Sequence, residues 1–249
     1  MKPTTLRSRS VLAAGLAMAA CVPNGPVPVA GLMHQSDGDK AYRAYLDGRP
    51  RQLKLRHQVE THFADHDEFV SGYLVLAPGG RLLLRAMSPL GASLFEIRNV
   101  PPAPPVVTSN VPQLSDPKWV EYLLADLRRI YLLDCPATHD VAKIDGRFAV
   151  ECELPCSSDR APSPPEDDGL RTEISDQGLV MAKKFRRRGE ATAHIVYADY
   201  RLTAGLPLAH RITLDYPMLH YAMTIALIDA DTKVDVARLF APEDQPDGK

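Results

Sequence analysis

Between positions 57 and 67 the chain carries His57, His62 and His66 beside Asp65 and Asp67, ligand types that a transition metal accepts. Their placement argues against a site. His57 falls on the inward face of an alternating strand, and 64–68 reads as a polar hairpin turn, so the cluster is taken as coincidental. Cys135, Cys152 and Cys156, with His139, form a second possible metal set. In an exported chain two of the three cysteines pair as a disulfide instead. Joining Cys135 to Cys152 or to Cys156 would tie a helix end to a strand, and joining Cys152 to Cys156 would close a tight loop. Spacing does not choose among these. The sequence has no Gly-x-Ser-x-Gly elbow, His-Glu-x-x-His zinc helix or phosphate-binding glycine loop. Asp167 and Asp168, the best carboxylate pair, fall in a polar loop over 157–169. No activated nucleophile is in view, so a non-enzyme without cofactor or metal is expected.

The other reactive residue is Cys21. Lys2, Arg7 and Arg9 precede an apolar run over 11–21 that ends in Met18-Ala19-Ala20-Cys21. A basic head, a short apolar stretch and small residues before a cysteine form a secretory signal, and the last four residues look like a bacterial lipobox. Residues 1–20 are therefore read as a signal peptide and 21–34 as a tether lipidated at Cys21. The apolar run is too short to span a bilayer, which takes about 20 residues. Val22, not aspartate, follows the cysteine, which favours the outer membrane. Cleavage removes three bases and no acids and leaves 26 basic against 31 acidic residues, a net charge of −5. Nucleic-acid binders are usually basic, so that class is disfavoured.

The remaining pattern is mostly strand. A helix is expected over 36–46, capped by Ser36, with Tyr42, Tyr45 and Leu46 on its apolar side and Gly48 at its end. Apolar residues then alternate in Leu53-Lys54-Leu55-Arg56-His57-Gln58-Val59, and strands follow at 69–76, 81–87 and 93–98. A proline-rich stretch at 101–105 closes this block, and 101–116 reads as a loop. Asp116 and Pro117 open a helix over 117–133. Its stripe is Val120, Leu123, Leu124, Leu127, Ile130 and Tyr131, with Glu121, Arg128 and Arg129 turned away. Strands resume at 147–152, 170–175, 178–186 and 191–201, then at 212–216 and 219–227 as a hairpin, and last at 233–239. That makes about eleven strands and two helices in one domain over 35–240, with a loose tail over 241–249. Lys183, Lys184, Arg186, Arg187 and Arg188 form a basic run, read as a solvated hairpin end.

One turn differs from the others. Met87-Ser88-Pro89-Leu90-Gly91-Ala92-Ser93-Leu94-Phe95 puts a leucine at the tip of a Pro-Gly turn between two strands. The leucine either folds back on the core or stands out as an apolar tip. Segment 81–97 with this Ser-Pro-Leu-Gly turn, the helix segment 119–131 and the closing hairpin segment 210–225, in this order after a lipobox, resemble the LolB-like lipoproteins. The similarity covers roughly 50–230 and is closer to the uncharacterised LolB-like relatives than to LolB itself. It implies a mainly β (α+β) fold: a curved, unclosed antiparallel β-barrel with helices across its open side and an apolar interior that receives acyl chains. It also implies that Leu90 is the protruding loop leucine that enters the membrane, and that a LolA-like periplasmic carrier supplies the cargo. The extra loops at 101–116 and 157–169 and the three additional cysteines depart from LolB, so the cargo is either lipid or lipoprotein.

An alternating sheet buries one face, and a helix stripe must cover it. Phe95, Ile97, Leu123, Leu127, Leu214, Met223 and Ile225 are the expected cavity wall. The expectation is a monomeric, outer-membrane-anchored, periplasm-facing acceptor of lipid or lipoprotein. The alternative is a structural lipoprotein that uses the same fold to bind a protein partner.

Overall fold

The computed structural model describes residues 35–63, 66–112, 116–136, 139–154 and 167–241. Helix α1 (Gln35–Asp47) precedes β1 (Leu53–Phe63), β2 (His66–Ala77), β3 (Arg81–Met87), β4 (Ser93–Asn99) and β5 (Val106–Ser109). Helix α2 (Pro117–Tyr131) leads to β6 (Asp140–Ile144), β7 (Arg147–Glu153), β8 (Gly169–Ile174), β9 (Val180–Arg187) and β10 (Glu190–Thr203). The chain continues through β11 (Leu206–Tyr216) and β12 (Tyr221–Asp231) to the single turn α3 (Val236–Leu239).

All twelve strands form one antiparallel sheet in the order β5-β4-β3-β2-β1-β12-β11-β10-β9-β8-β7-β6. The sheet is curved and does not close, since β5 and β6 remain as its edges. Alternation sets the faces: on β1, Leu53, Leu55 and His57 are buried between exposed Lys54, Arg56 and Gln58. Antiparallel order also sends the turns to two ends. The tips at 88–92, 188–189 and 217–220 share one end, and those at 78–80, 175–179 and 204–205 share the other. The cavity described below opens at the second end.

Asp116 caps α2 by accepting from the Lys118 backbone N–H at 2.9 Å, and Pro117 occupies the first turn, where no N–H is needed. Val120, Leu124 and Leu127 pack on a cluster of β1–β4 residues that includes Leu74, Leu82 and Ile97. Ile130 packs on a second cluster from β7–β12, with Tyr42 of α1, Phe185 and Leu214. One helix thus seals both halves of the sheet.

Several local expectations change. Residues 106–109 and 140–144 are strands that the patterning did not mark, because short edge strands carry little alternation. The segment expected as a last strand at 233–239 instead holds α3, whose Arg238 backbone N–H is capped by the Asp235 carboxylate at 3.0 Å. Helix α1 begins at Gln35, so Ser36 lies inside it, and Leu46 is on the exposed side. Arg129, expected in water, is 5% exposed. Lys183, expected at a solvated hairpin end, is 1% exposed. Asp167, expected in a polar loop, is buried too.

Candidate functional site

The end of α2 and the segment after it carry one set of interior polar fastenings. Tyr42 Oη donates to the Cys135 carbonyl at 2.9 Å, and Tyr197 Oη to the Ile130 carbonyl at 2.6 Å. Lys183 Nζ donates to the Leu133 carbonyl at 2.6 Å and lies 3.1 Å from Asp134 Oδ1. Burial holds this amine well below the ordinary lysine range, and nearby Arg49 adds to the effect. Asp134 also pairs with Arg49 and accepts from Tyr45 Oη at 2.7 Å. Cys135 is disulfide-bonded to Cys152 of β7, which settles the pairing left open above. Cys156 lies outside the described residues.

A second buried network lies further up α2. Arg129 Nε donates to Asp167 Oδ2 at 2.8 Å, and its Nη1 donates to Tyr216 Oη at 2.6 Å and reaches Asp126 Oδ1 at 3.3 Å. Tyr216 donates in turn to Asp126, and Thr192 Oγ1 to Asp167 Oδ1. The guanidinium also sits over the rings of Phe185 and Tyr216. Burial pushes the Asp126 carboxyl up to about 6. These charges are turned onto one another and onto neighbouring side chains, so the arrangement orders α2 against β8–β11.

Space remains where the helices run out. Beyond the end of α2, between α1, β1, β2, β10 and β11, lies a cavity of about 300 Å³. This is at the small end of the range for ligand pockets, about 300–1,000 Å³. Small residues keep it open: Ala44, Gly48, Ala77, Gly178 and Ala209 all lie on its wall. Leu53, Leu55, Leu76, Ile130, Leu208 and Leu227 supply most of the rest, so the lining is chiefly apolar. Ala44, Gly48, Arg51, Gln177 and Pro207 are the exposed wall residues, and the last three put polar or rigid groups at the mouth.

His57 is at the inner end. It is buried on β1, with Tyr131 Oη 3.0 Å from its Nε2 and the two rings stacked at 5.9 Å. Burial holds its pKa down to about 4, so the ring is neutral at neutral pH. The β1–β12 register shifts at this residue, so that Arg56 pairs with Asp229 and His57 with Leu227. Such a bulge re-aims a side chain. The partner on β2 is Gly72, where a Cβ would come within 2.1 Å of the Arg85 carbonyl oxygen, so this cross-strand position cannot take a side chain.

None of the seven residues expected on the cavity wall lies on it. Phe95, Ile97, Leu123 and Leu127 belong to the β1–β4 cluster, and Leu214, Met223 and Ile225 to the β7–β12 cluster. They sit in the packed clusters that α2 covers. The residues that do line the cavity were missed. Inward alternation of Leu53, Leu55 and His57 was the one signal available, because the space itself depends on where two helices stop.

Leu90 is 96% exposed. Its turn is closed by the Ser88 N–H to the Ala92 carbonyl at 2.8 Å and by the Gly91 N–H to the Ser88 carbonyl at 2.9 Å, with Gly91 at φ +82°. Met218 and Leu219, at the β11–β12 tip on the same end, are 74% and 69% exposed. Arg187 and Arg188 close a third tip there and form no ion pair among the described residues. Cys21 is outside the described residues.

Among the described side chains the histidine cluster is not brought together. His62 Nδ1 pairs with Asp67 at 2.8 Å on the exposed hairpin, His57 points inward, and Asp65 is outside the described residues. His139 pairs with Asp39 at 3.3 Å, and the disulfide takes Cys135 and Cys152 out of any metal set. No group of ligands able to hold a metal ion is found among the described residues. No described helix is long and apolar enough to cross a membrane.

No protein-family profile matches the sequence. No curated protein matches it either. Solved structures do. A LolA superfamily protein from Nitrosomonas europaea superposes with a TM-score of 0.56 at 10% identity, over 82% of this chain and 97% of that one. A DUF1329 family protein from Desulfovibrio piger gives 0.58 at 10% identity, over 84% and 96%. A Vibrio parahaemolyticus domain named for outer membrane lipoprotein sorting gives 0.53 at 9% identity, over 80% and 91%. The fold is therefore LolA-like, a curved unclosed antiparallel sheet with few helices.

Proposed function

We propose that this protein is a lipid-anchored, LolB-like binding protein of the outer membrane that holds an acyl chain in the cavity at the end of α2. It would accept or deliver a lipid or a lipoprotein without covalent chemistry. The observation that carries the reading is the cavity itself: an apolar space of about 300 Å³, under helices, at the open end of a LolA-like sheet. Burying an acyl chain contributes about 0.8 kcal/mol per methylene, so a cavity of this size binds lipid usefully. A lipoprotein-sorting neighbour of the same fold supports the cargo class.

Cys21 would carry the anchor, and Leu90 would enter the bilayer when cargo is released. A LolA-like carrier would be the donor if the cargo is a lipoprotein. The anchor and the apolar tip then act on one membrane, and the cavity mouth lies at the other end of the sheet.

The test is to purify the Cys21→Ala protein, identify co-purifying lipid by mass spectrometry, and titrate the delipidated protein with a fluorescent fatty acid. Saturable uptake that Leu208→Trp reduces at least tenfold is the expected result, since an indole there occupies the space. No bound lipid and no uptake would overturn the reading and favour a protein-binding role.

A further inference from the structure

The tyrosines on the cavity wall spend their hydroxyl protons on the protein. Tyr45 donates to Asp134, Tyr197 to the Ile130 carbonyl and Tyr200 to the Val180 carbonyl. His57 and Tyr131 differ. The bond between Tyr131 Oη and His57 Nε2 is the one hydrogen bond either side chain makes among the described residues. A neutral imidazole has one N–H and a phenol one O–H, so a single bond between them uses one of two donors. If the phenol donates, the Nδ1–H of His57 is left over. If Nε2–H donates, the phenolic proton is left over. Either tautomer leaves one donor without a protein partner among the described residues, on a residue that lines the apolar cavity.

We infer that the cavity takes an apolar chain bearing one uncharged acceptor oxygen, a hydroxyl or an ester or amide carbonyl, received by the His57–Tyr131 pair. This rests on the acyl-chain reading above and specifies the cargo. A carboxylate is the wrong group for this position. The Arg49 guanidinium is already held by Asp134 and the Tyr131 carbonyl, and the other wall arginine, Arg51, stands at the mouth and not beside His57. The burial that keeps His57 neutral points the same way. Along β1, wall residues Leu53, Leu55 and His57 step inward from the mouth. Four residues of strand span about 13 Å, so the oxygen belongs well along the chain and not at its head. Gly72 on β2 leaves the neighbouring place on the sheet free of a side chain.

The experiment compares stearic acid with 12-hydroxystearic acid as competitors of a bound fluorescent fatty acid. The wild-type protein should bind the hydroxylated acid roughly two- to tenfold more tightly, the range of one neutral hydrogen bond. His57→Leu and Tyr131→Phe should each retain part of the preference, because each still leaves a donor. The double variant should bind both acids equally. Equal binding by the wild type, or a preference that survives in the double variant, overturns the inference. Failure of the wild type to bind either acid overturns the acyl-chain reading itself. Should the double variant not fold, the ring nitrogen resonances of His57 in the wild type decide. They should move with 12-hydroxystearic acid and not with stearic acid, and an equal response to both, or none, overturns the proposal.

Discussion

His57 carries a charge-state signature that can be measured without any ligand. Its ordinary pKa of 6.5 falls to about 4 on folding because burial penalises the imidazolium. The unfolded chain therefore binds more protons than the folded one between these values. Stability from this residue is complete above about pH 6.5 and is lost as pH falls toward 4, by about 3 kcal/mol. Asp126 works the other way: its carboxyl, raised to about 6, takes up a proton in the folded state first and favours folding as pH falls through that range. Comparing wild type with His57→Leu by urea unfolding at pH 7 and pH 4.5 isolates the histidine, and the variant should lose less stability on acidification. Arg129→Met strands two buried carboxylates, Asp126 and Asp167, and should cost about 3–5 kcal/mol in the same assay at pH 7. The alternation of β1 placed His57 inward from the sequence. Nothing in the sequence placed Tyr131 opposite its Nε2, because the two residues lie 74 positions apart.

At the scale of elements, α2 and the segment behind it decide where the cavity is. The cap at Asp116, the proline at 117 and the stripe from Val120 to Ile130 made this helix legible, since capping and 3.6-residue periodicity are local. The burial of Arg129 was not legible. The residue lies off the stripe, on a side that meets solvent when a helix packs on a flat sheet, and here the curved sheet brings Asp167 and Tyr216 round to it. The Cys135–Cys152 bridge then ties the segment after α2 to β7 across a separation of 17 residues. A loop of that length contributes about 3 kcal/mol in the chain-entropy account. Reduction, or Cys135→Ala with Cys152→Ala, should lower stability by that amount in thermal or urea unfolding. It should also weaken fatty-acid uptake, since Ile130, Tyr131 and Leu132 form one side of the cavity.

At the scale of the molecule, the antiparallel order separates two ends with different surfaces. One end carries the exposed tips Leu90, Met218 and Leu219 with the basic tip at 187–188, and the other carries the cavity mouth. The tips at 88–92 and 217–220 are four strands apart in the sheet order, with the β1–β2 hairpin between them, so they are two separate apolar points at one end. Leu90→Glu should leave thermal stability within about 0.5 kcal/mol of wild type, as expected for a fully exposed position. It should weaken binding to phosphatidylglycerol-containing vesicles roughly tenfold or more, the value of burying one leucine side chain. Unfolding of this variant, or unchanged vesicle binding, would remove Leu90 from the membrane contact.

The sequence by itself determined the local part: strand faces, the two main helices, the Pro-Leu-Gly turn and the mainly β class. These follow from patterns a few residues long. The tertiary structure decided which cysteines pair, where Arg129, Asp167 and Lys183 find their partners, and that a cavity lies beside Leu55 and His57 while Ile97 and Met223 belong to the packed clusters. A cavity is what packing fails to fill. Its position depends on where α1 and α2 end relative to a sheet whose curvature no local pattern encodes.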